Sequence, residues 1–140
     1  MIVGLPTEYV GFYWHQLAPL IEKALKRLKM QDMYSLEDVK RILGEKTWQC
    51  WVYCPEKEKI SCVFITNLIE FPAGRKIFSI ILAGGSGLKD WKEDIHEFFI
   101  ERAKEQGCDE IRFTGRAGWK KVYGFDVIKQ YQVKLWAIPS

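Results

Sequence analysis

Two periodicities alternate along this chain, and the switches between them predict its elements. Leu17, Leu20, Ile21, Ala24, Leu25 and Leu28 recur at helical spacing, with Glu22, Lys23, Lys26, Arg27 and Lys29 on the polar face. Pro19 interrupts the first half, which predicts a kink there or marks the true first turn. Residues 2–5, ahead of Pro6, read as one short strand. Ser35-Leu36-Glu37-Asp38 has the pattern of a capping box and opens a second helix. Its buried stripe is Val39, Ile42 and Leu43, and Gly44 is expected to end it.

The period then shortens. Three strands are predicted, at 47–54, 60–68 and 76–83, the first two forming a hairpin around the Pro-Glu-Lys-Glu-Lys stretch. Pro72, Ala73 and Gly74 read as the turn before the third. That third strand is apolar almost throughout, as suits a central strand covered on both faces. Helical spacing returns over 88–106, where Trp91, Ile95, Phe98, Phe99 and Ala103 share a face and Gly107 is the stop. A strand at 110–114, a turn of helix over 118–123 and β segments near 125–128 and 131–137 complete the chain. Strands 76–83 and 110–114 are expected to run parallel, because a helix separates them and a parallel pair needs such a crossover.

The stretch with the strongest suggestion of binding chemistry is the passage from the third strand into the long helix, Ala83-Gly84-Gly85-Ser86-Gly87-Leu88. Glycines at a helix start let backbone N–H groups converge on an anion. A β-bulge that lets a helix pack closely against the sheet accounts for Gly84 and Gly85 equally well.

Composition narrows the function classes. A chain of 140 residues, 48% hydrophobic and 28% charged, is globular and large enough for a single domain, 1–140, with one core. Aromatic residues reach 14%, with six Trp. The net charge of +3 is unevenly spread: residues 111–140 hold Arg112, Arg116, Lys120, Lys121, Lys129 and Lys134 against Asp126 alone. That basic C-terminal segment suits a phosphate-bearing ligand, or is simply a solvated hairpin. It is too scattered to make nucleic acid the leading partner. The opening residues do not read as a leader, and the apolar run 77–83 is too short for a bilayer, so a soluble, intracellular protein without a membrane partner is expected.

Four cysteines, Cys50, Cys54, Cys62 and Cys108, tempt a zinc reading. Strand geometry argues against it: Cys50 and Cys54 would share a face about 13 Å apart, with Cys62 opposite Val52 on that face. Zinc needs each sulfur about 2.3 Å away, so reduced, packed thiols and no metal are expected. His15 and His96 fall on separate helices as surface or cap residues, without a nucleophile partner.

The element order, read with Trp48-Gln49-x-Trp51, Phe64-Ile65-Thr66 followed by Phe71-Pro72, Gly84-Gly85, Trp91, the Ala103–Cys108 run and Gly115-Arg116-x-Gly118-Trp119, resembles the GNAT (N-acetyltransferase) fold. Over residues 10–136 it is similar to a branch of that family encoded by tailed bacteriophages. The resemblance implies an α/β fold, a central mixed sheet with a splayed parallel strand pair flanked by helices. It implies acetyl-CoA or CoA in the splay, held by Gly84, Gly85, Ser86, Gly87, Leu88, Lys89 and Arg116, with Glu70 as base and Tyr123 as acid. Two departures stand out. No Arg or Gln precedes the glycines, and Lys120 fills the place of the family's Tyr four residues before the Gly124-Phe125 pair. The other function the resemblance implies is a non-catalytic phage virion or assembly protein, with other phage structural proteins as partners. It would reside in the host cytoplasm or with the virion.

Overall fold

The computed structural model describes residues 2–85, 88–114, 126–129 and 132–137. The elements are β1 (Ile2–Leu5), α1 (Thr7–Val10), α2 (Trp14–Arg27), α3 (Leu36–Gly44), β2 (Gln49–Tyr53), β3 (Cys62–Glu70), β4 (Lys76–Gly85), α4 (Leu88–Glu105), β5 (Glu110–Thr114), β6 (Asp126–Lys129) and β7 (Gln132–Ala137). The strands form one sheet in the order β1-β2-β3-β4-β5-β7-β6. Every neighbouring pair is antiparallel except β4 and β5, which run parallel with α4 as the crossover between them, as the spacing predicts.

Helices cover both faces of the sheet. Leu17, Ile21, Ala24 and Leu25 of α2, with Val39 and Leu43 of α3, bury against Cys50, Val52, Val63, Ile65 and Leu82. On the opposite face Ile95, Phe99 and Ala103 of α4 bury against Cys62, Phe64, Phe78, Ile80 and Ile111. Phe99 is the centre of that second layer, with Phe64, Phe98 and Trp51 edge-on around it at 5.3, 5.3 and 5.8 Å.

Local chemistry explains most element ends. The Ser35 side chain accepts from the Asp38 N–H at 3.0 Å and the Asp38 carboxylate accepts from the Ser35 N–H at 2.9 Å, the reciprocal cap read from the sequence. Gly107, at φ 71, stops α4, with the Cys108 N–H returning to the Ala103 carbonyl at 2.9 Å. Gly44 is not the stop of α3: it stays helical, and the left-handed residue past the end is Lys46, at φ 64. Pro19 lies well inside α2 rather than at its first turn.

The hairpin register differs from expectation by one residue. Cys62 pairs with Tyr53, and Val52 with Val63. Because side chains alternate, that slip carries Cys62 to the α4 face while Cys50 stays beneath α2. All four cysteines are free. Among the described residues no three His, Cys, Asp or Glu side chains group as metal ligands, and no helix is long and apolar enough to cross a membrane.

Candidate functional site

β4 organises the site. Between Ile65↔Leu82 and Thr66↔Ile80 its register to β3 slips by one residue, so Ile81 is a bulge. The bulge reverses the alternation. Phe78 and Ile80 face α4, whereas Leu82 joins the α2 layer. Parallel pairing with β5 covers only Ile77↔Glu110 to Ile80↔Phe113. β4 then runs on to Gly85, and no described residue pairs with residues 81–85 on the β5 side. At about 3.3 Å per residue, that leaves roughly 16 Å of strand edge whose backbone groups meet no described residue on that side.

The other end of the same strand pair is closed. The Asp109 carboxylate accepts from the Lys76 N–H at 2.9 Å, and the Asp109 N–H donates to the Lys76 carbonyl at 2.7 Å. The Glu110 carboxylate, buried at 6% side-chain exposure, accepts from Arg75 and from Arg112, the latter at 3.0 Å. Arg112, one of the six basic residues of 111–140, is thereby occupied by an acid. β4 and β5 are pinned at their start and part beyond Ile80.

Gly84 and Gly85 are the last two residues of β4, paired with Val63 and Cys62, and not part of a free turn. A Cβ on Gly84 would lie 2.6 Å from the Leu20 carbonyl oxygen and 3.1 Å from Ala24 Cβ. Gly85 sits at φ 138, and a Cβ there would lie 2.3 Å from the Ser61 carbonyl oxygen and 2.5 Å from Cys62 Sγ. Both glycines are therefore required by packing against α2 and the β2–β3 loop, whatever else they contact. The wall they touch is itself fixed by a residue that the sequence pattern does not flag. The Gln16 side chain donates to the Glu58 carbonyl at 3.0 Å and accepts from the Ile60 N–H at 2.9 Å, stitching α2 to that loop.

Of the residues singled out from the sequence, the fold brings Gly84, Gly85 and the start of α4 at Leu88 and Lys89 to one end of the sheet. Ser86, Gly87, Arg116, Trp119 and Tyr123 lie outside the described residues. Glu70 is exposed at the far end of β3, paired with Lys76. That places it about 13 Å of strand from Ile80, where β4 and β5 part, and about 30 Å from Gly85. A general base works at hydrogen-bond distance, so Glu70 does not meet the glycine end of the site.

Cys50, Cys54 and Cys108 offer no nucleophile there. Burial pushes the Cys50 thiol up to about 12, and burial also raises Cys54 and Cys108. The reactive form is the thiolate, which these surroundings disfavour. His15 is exposed on α2.

No protein-family model matches the chain, and no curated protein matches its sequence. Solved structures do match its fold. The tetramutant of BH1408 protein from Bacillus halodurans aligns with TM-score 0.68 at 15% identity, over 93% of this chain and 96% of that one. Ribosomal-protein-alanine N-acetyltransferase from Brucella melitensis aligns with TM-score 0.64 at 12% identity, over 89% and 88%. A predicted acetyltransferase from Clostridium acetobutylicum, solved with acetyl-CoA, aligns with TM-score 0.61 at 12% identity, over 94% and 92%. At such identities the likeness is one of fold, and that fold is the GNAT-like mixed α/β sheet expected from the sequence.

Proposed function

We propose that this protein is an acyl-CoA-dependent N-acyltransferase whose cofactor lies in the opening between β4 and β5. The observation that carries the reading is the edge of residues 81–85, which no described residue pairs on the β5 side and which leads toward the N-terminus of α4. Such an edge accepts an extended, amide-bearing chain in the manner of an added strand. The fit is of a particular kind. The spaces beside Gly84 and Gly85 are filled by α2 and by Ser61 and Cys62, so the glycines make no pocket of their own. The open strand edge would hold the amide-bearing arm, and the amides of Gly87 and Leu88 with the Lys89 ammonium would hold the phosphates. A neighbour of the same fold bound to acetyl-CoA supports this reading.

When bound, acetyl-CoA supplies a thioester as the activated acyl group. The chain's own part is to orient the donor along β4, exclude water with the α4 aromatic layer, and provide a proton at the Tyr123 hydroxyl for the departing thiolate. Glu70 stands too far from the parting of β4 and β5 to take a proton from an acceptor there, so solvent receives it. The acceptor is an amine.

The second reading, a non-catalytic GNAT-fold virion or assembly protein, draws on the same glycines: Gly84 and Gly85 are fully explained by packing. Calorimetric titration with acetyl-CoA and with CoA separates the two. The enzyme reading expects saturable binding of both, weakened several-fold by Lys89→Glu. Absence of binding at millimolar CoA removes it and leaves the virion reading.

A further inference from the structure

An open cavity of about 360 Å³ lies well away from the β4–β5 opening, where the ends of β1 and α3 meet the starts of α1 and β2. Its walls are apolar, from Pro6, Val10, Leu43 and Trp48. Its polar lining comes from Thr7, Lys46 and Gln49. All of these polar groups, with the Trp48 indole N–H, can donate a hydrogen bond, and no carboxylate is among the described residues that line the space. Among the described residues, none of the four side chains makes a hydrogen bond or ion pair to another residue. The cavity is of the size that takes a small ligand, and a small number of converging polar groups on apolar walls is what orients one.

We propose that this cavity is a second small-molecule site, separate from the acyl-CoA opening, that takes a compact apolar acid: one ring or short branched chain carrying a carboxylate. The apolar part fills the space between Val10, Leu43 and Trp48. The carboxylate reaches the mouth, where the Lys46 ammonium supplies charge and the Gln49 amide and Thr7 hydroxyl supply further donors. A cationic ligand would meet the like charge of Lys46 and no carboxylate among the described lining residues. Lys46 is well placed for the role, because its backbone is tied to the end of α3 through its N–H to the Leu43 carbonyl at 3.1 Å while its side chain is exposed.

The test uses 3-phenylpropionate as probe and 3-phenylpropan-1-ol as its uncharged counterpart. The readout is the indole N–H resonance of Trp48 in nitrogen-labelled protein, identified by its loss in Trp48→Phe. The acid should shift that resonance saturably, and the alcohol should bind about fivefold more weakly, the size of an exposed charge contact. Lys46→Met, which keeps the stem of an exposed side chain, should erase the difference between the two probes while leaving the spectrum otherwise unchanged. Val10→Phe, filling the cavity, should abolish both responses; should it fail to fold, Lys46→Met still decides. The proposal is overturned by the absence of a saturable shift at roughly 10 mM acid. It is equally overturned by indistinguishable binding of acid and alcohol, or by a Lys46→Met protein that still prefers the acid. None of these outcomes bears on CoA binding, which is measured separately.

Discussion

Gly84→Ala isolates the close approach of β4 to α2. Gly84 is not among the glycines with left-handed φ, so its backbone accepts alanine without strain. Removing a glycine from the unfolded chain would by itself stabilise by about 0.4–1 kcal/mol. The added methyl, however, lands 2.6 Å from the Leu20 carbonyl oxygen, and α2 must retreat by about 0.7 Å to restore ordinary contact. A gap of that width forfeits roughly a quarter to a half of each van der Waals contact along the buried face of Leu17, Ile21, Ala24 and Leu25. Overpacking of this kind costs about 1–3 kcal/mol, so the net loss should be about 1–2 kcal/mol. In urea unfolding followed by circular dichroism, the midpoint should fall by roughly 1 M with unchanged slope. Gly11→Ala is the internal control: Gly11 has φ −62 and ψ −40 and nothing within 4 Å of the new methyl, so its midpoint should rise slightly. A Gly84→Ala protein as stable as Gly11→Ala would refute the packing argument and return Gly84 to the pool of ligand-facing residues.

Other expectations follow from the same geometry. Glu110→Gln weakens both arginine contacts at the closed end of β4 and β5. With Arg75 and Arg112 side chains 56% and 45% exposed, solvent screening limits the loss to about 1–2 kcal/mol in denaturant unfolding, and an unchanged midpoint would contradict the clamp. The Ser35 N–H and hydroxyl hold Asp38 below its usual 3.8, so its contribution is present above that pH and disappears as pH falls through the lower folded value. The stability gap between the natural protein and Asp38→Asn should therefore narrow only below about pH 4. Cys50, pushed up to about 12 by burial, should resist thiol reagents at pH 8 in the folded protein, while denatured protein exposes four thiols. Burial of that neutral thiol stabilises fully below pH 9 and the benefit is lost as pH rises from 9 toward 12, visible as a falling melting temperature.

The parts of the fold that were legible in the sequence are those set by local chemistry. Ser35 and Asp38 announce the cap of α3, Gly107 the end of α4, and the nearly continuous apolar run from Ile77 the doubly covered strand. The parallel pairing of β4 with β5 follows from the helix between them. What the sequence hides is set by distant partners. The one-residue register of β2 on β3 depends on how residues 54–61 turn, including the Glu56↔Lys59 bridge, and that loop is shaped by Gln16 from α2. Gly84 and Gly85 signal a backbone approach without saying to what: an anion, a helix or a neighbouring strand leaves the same mark on the sequence. Glu70 is close in sequence to the turn before β4, and only the sheet register shows it at the end away from the glycines. α1, four residues without a side-chain cap, has too few positions to show a period.

β1 completes the sheet at its edge, yet its partner β2 is translated only after all of α1, α2 and α3 have been made. Its sequence, Ile-Val-Gly-Leu, carries no charge and stays without a strand to pair with while the ribosome works through that interval. The β3–β4 hairpin, by contrast, closes a short turn and can form as soon as it emerges, supplying the template onto which β2 and then β1 add. The first strand made is thus among the last to be placed, and chaperone dependence during synthesis should track the exposure of residues 2–5 more closely than the stability of the finished fold.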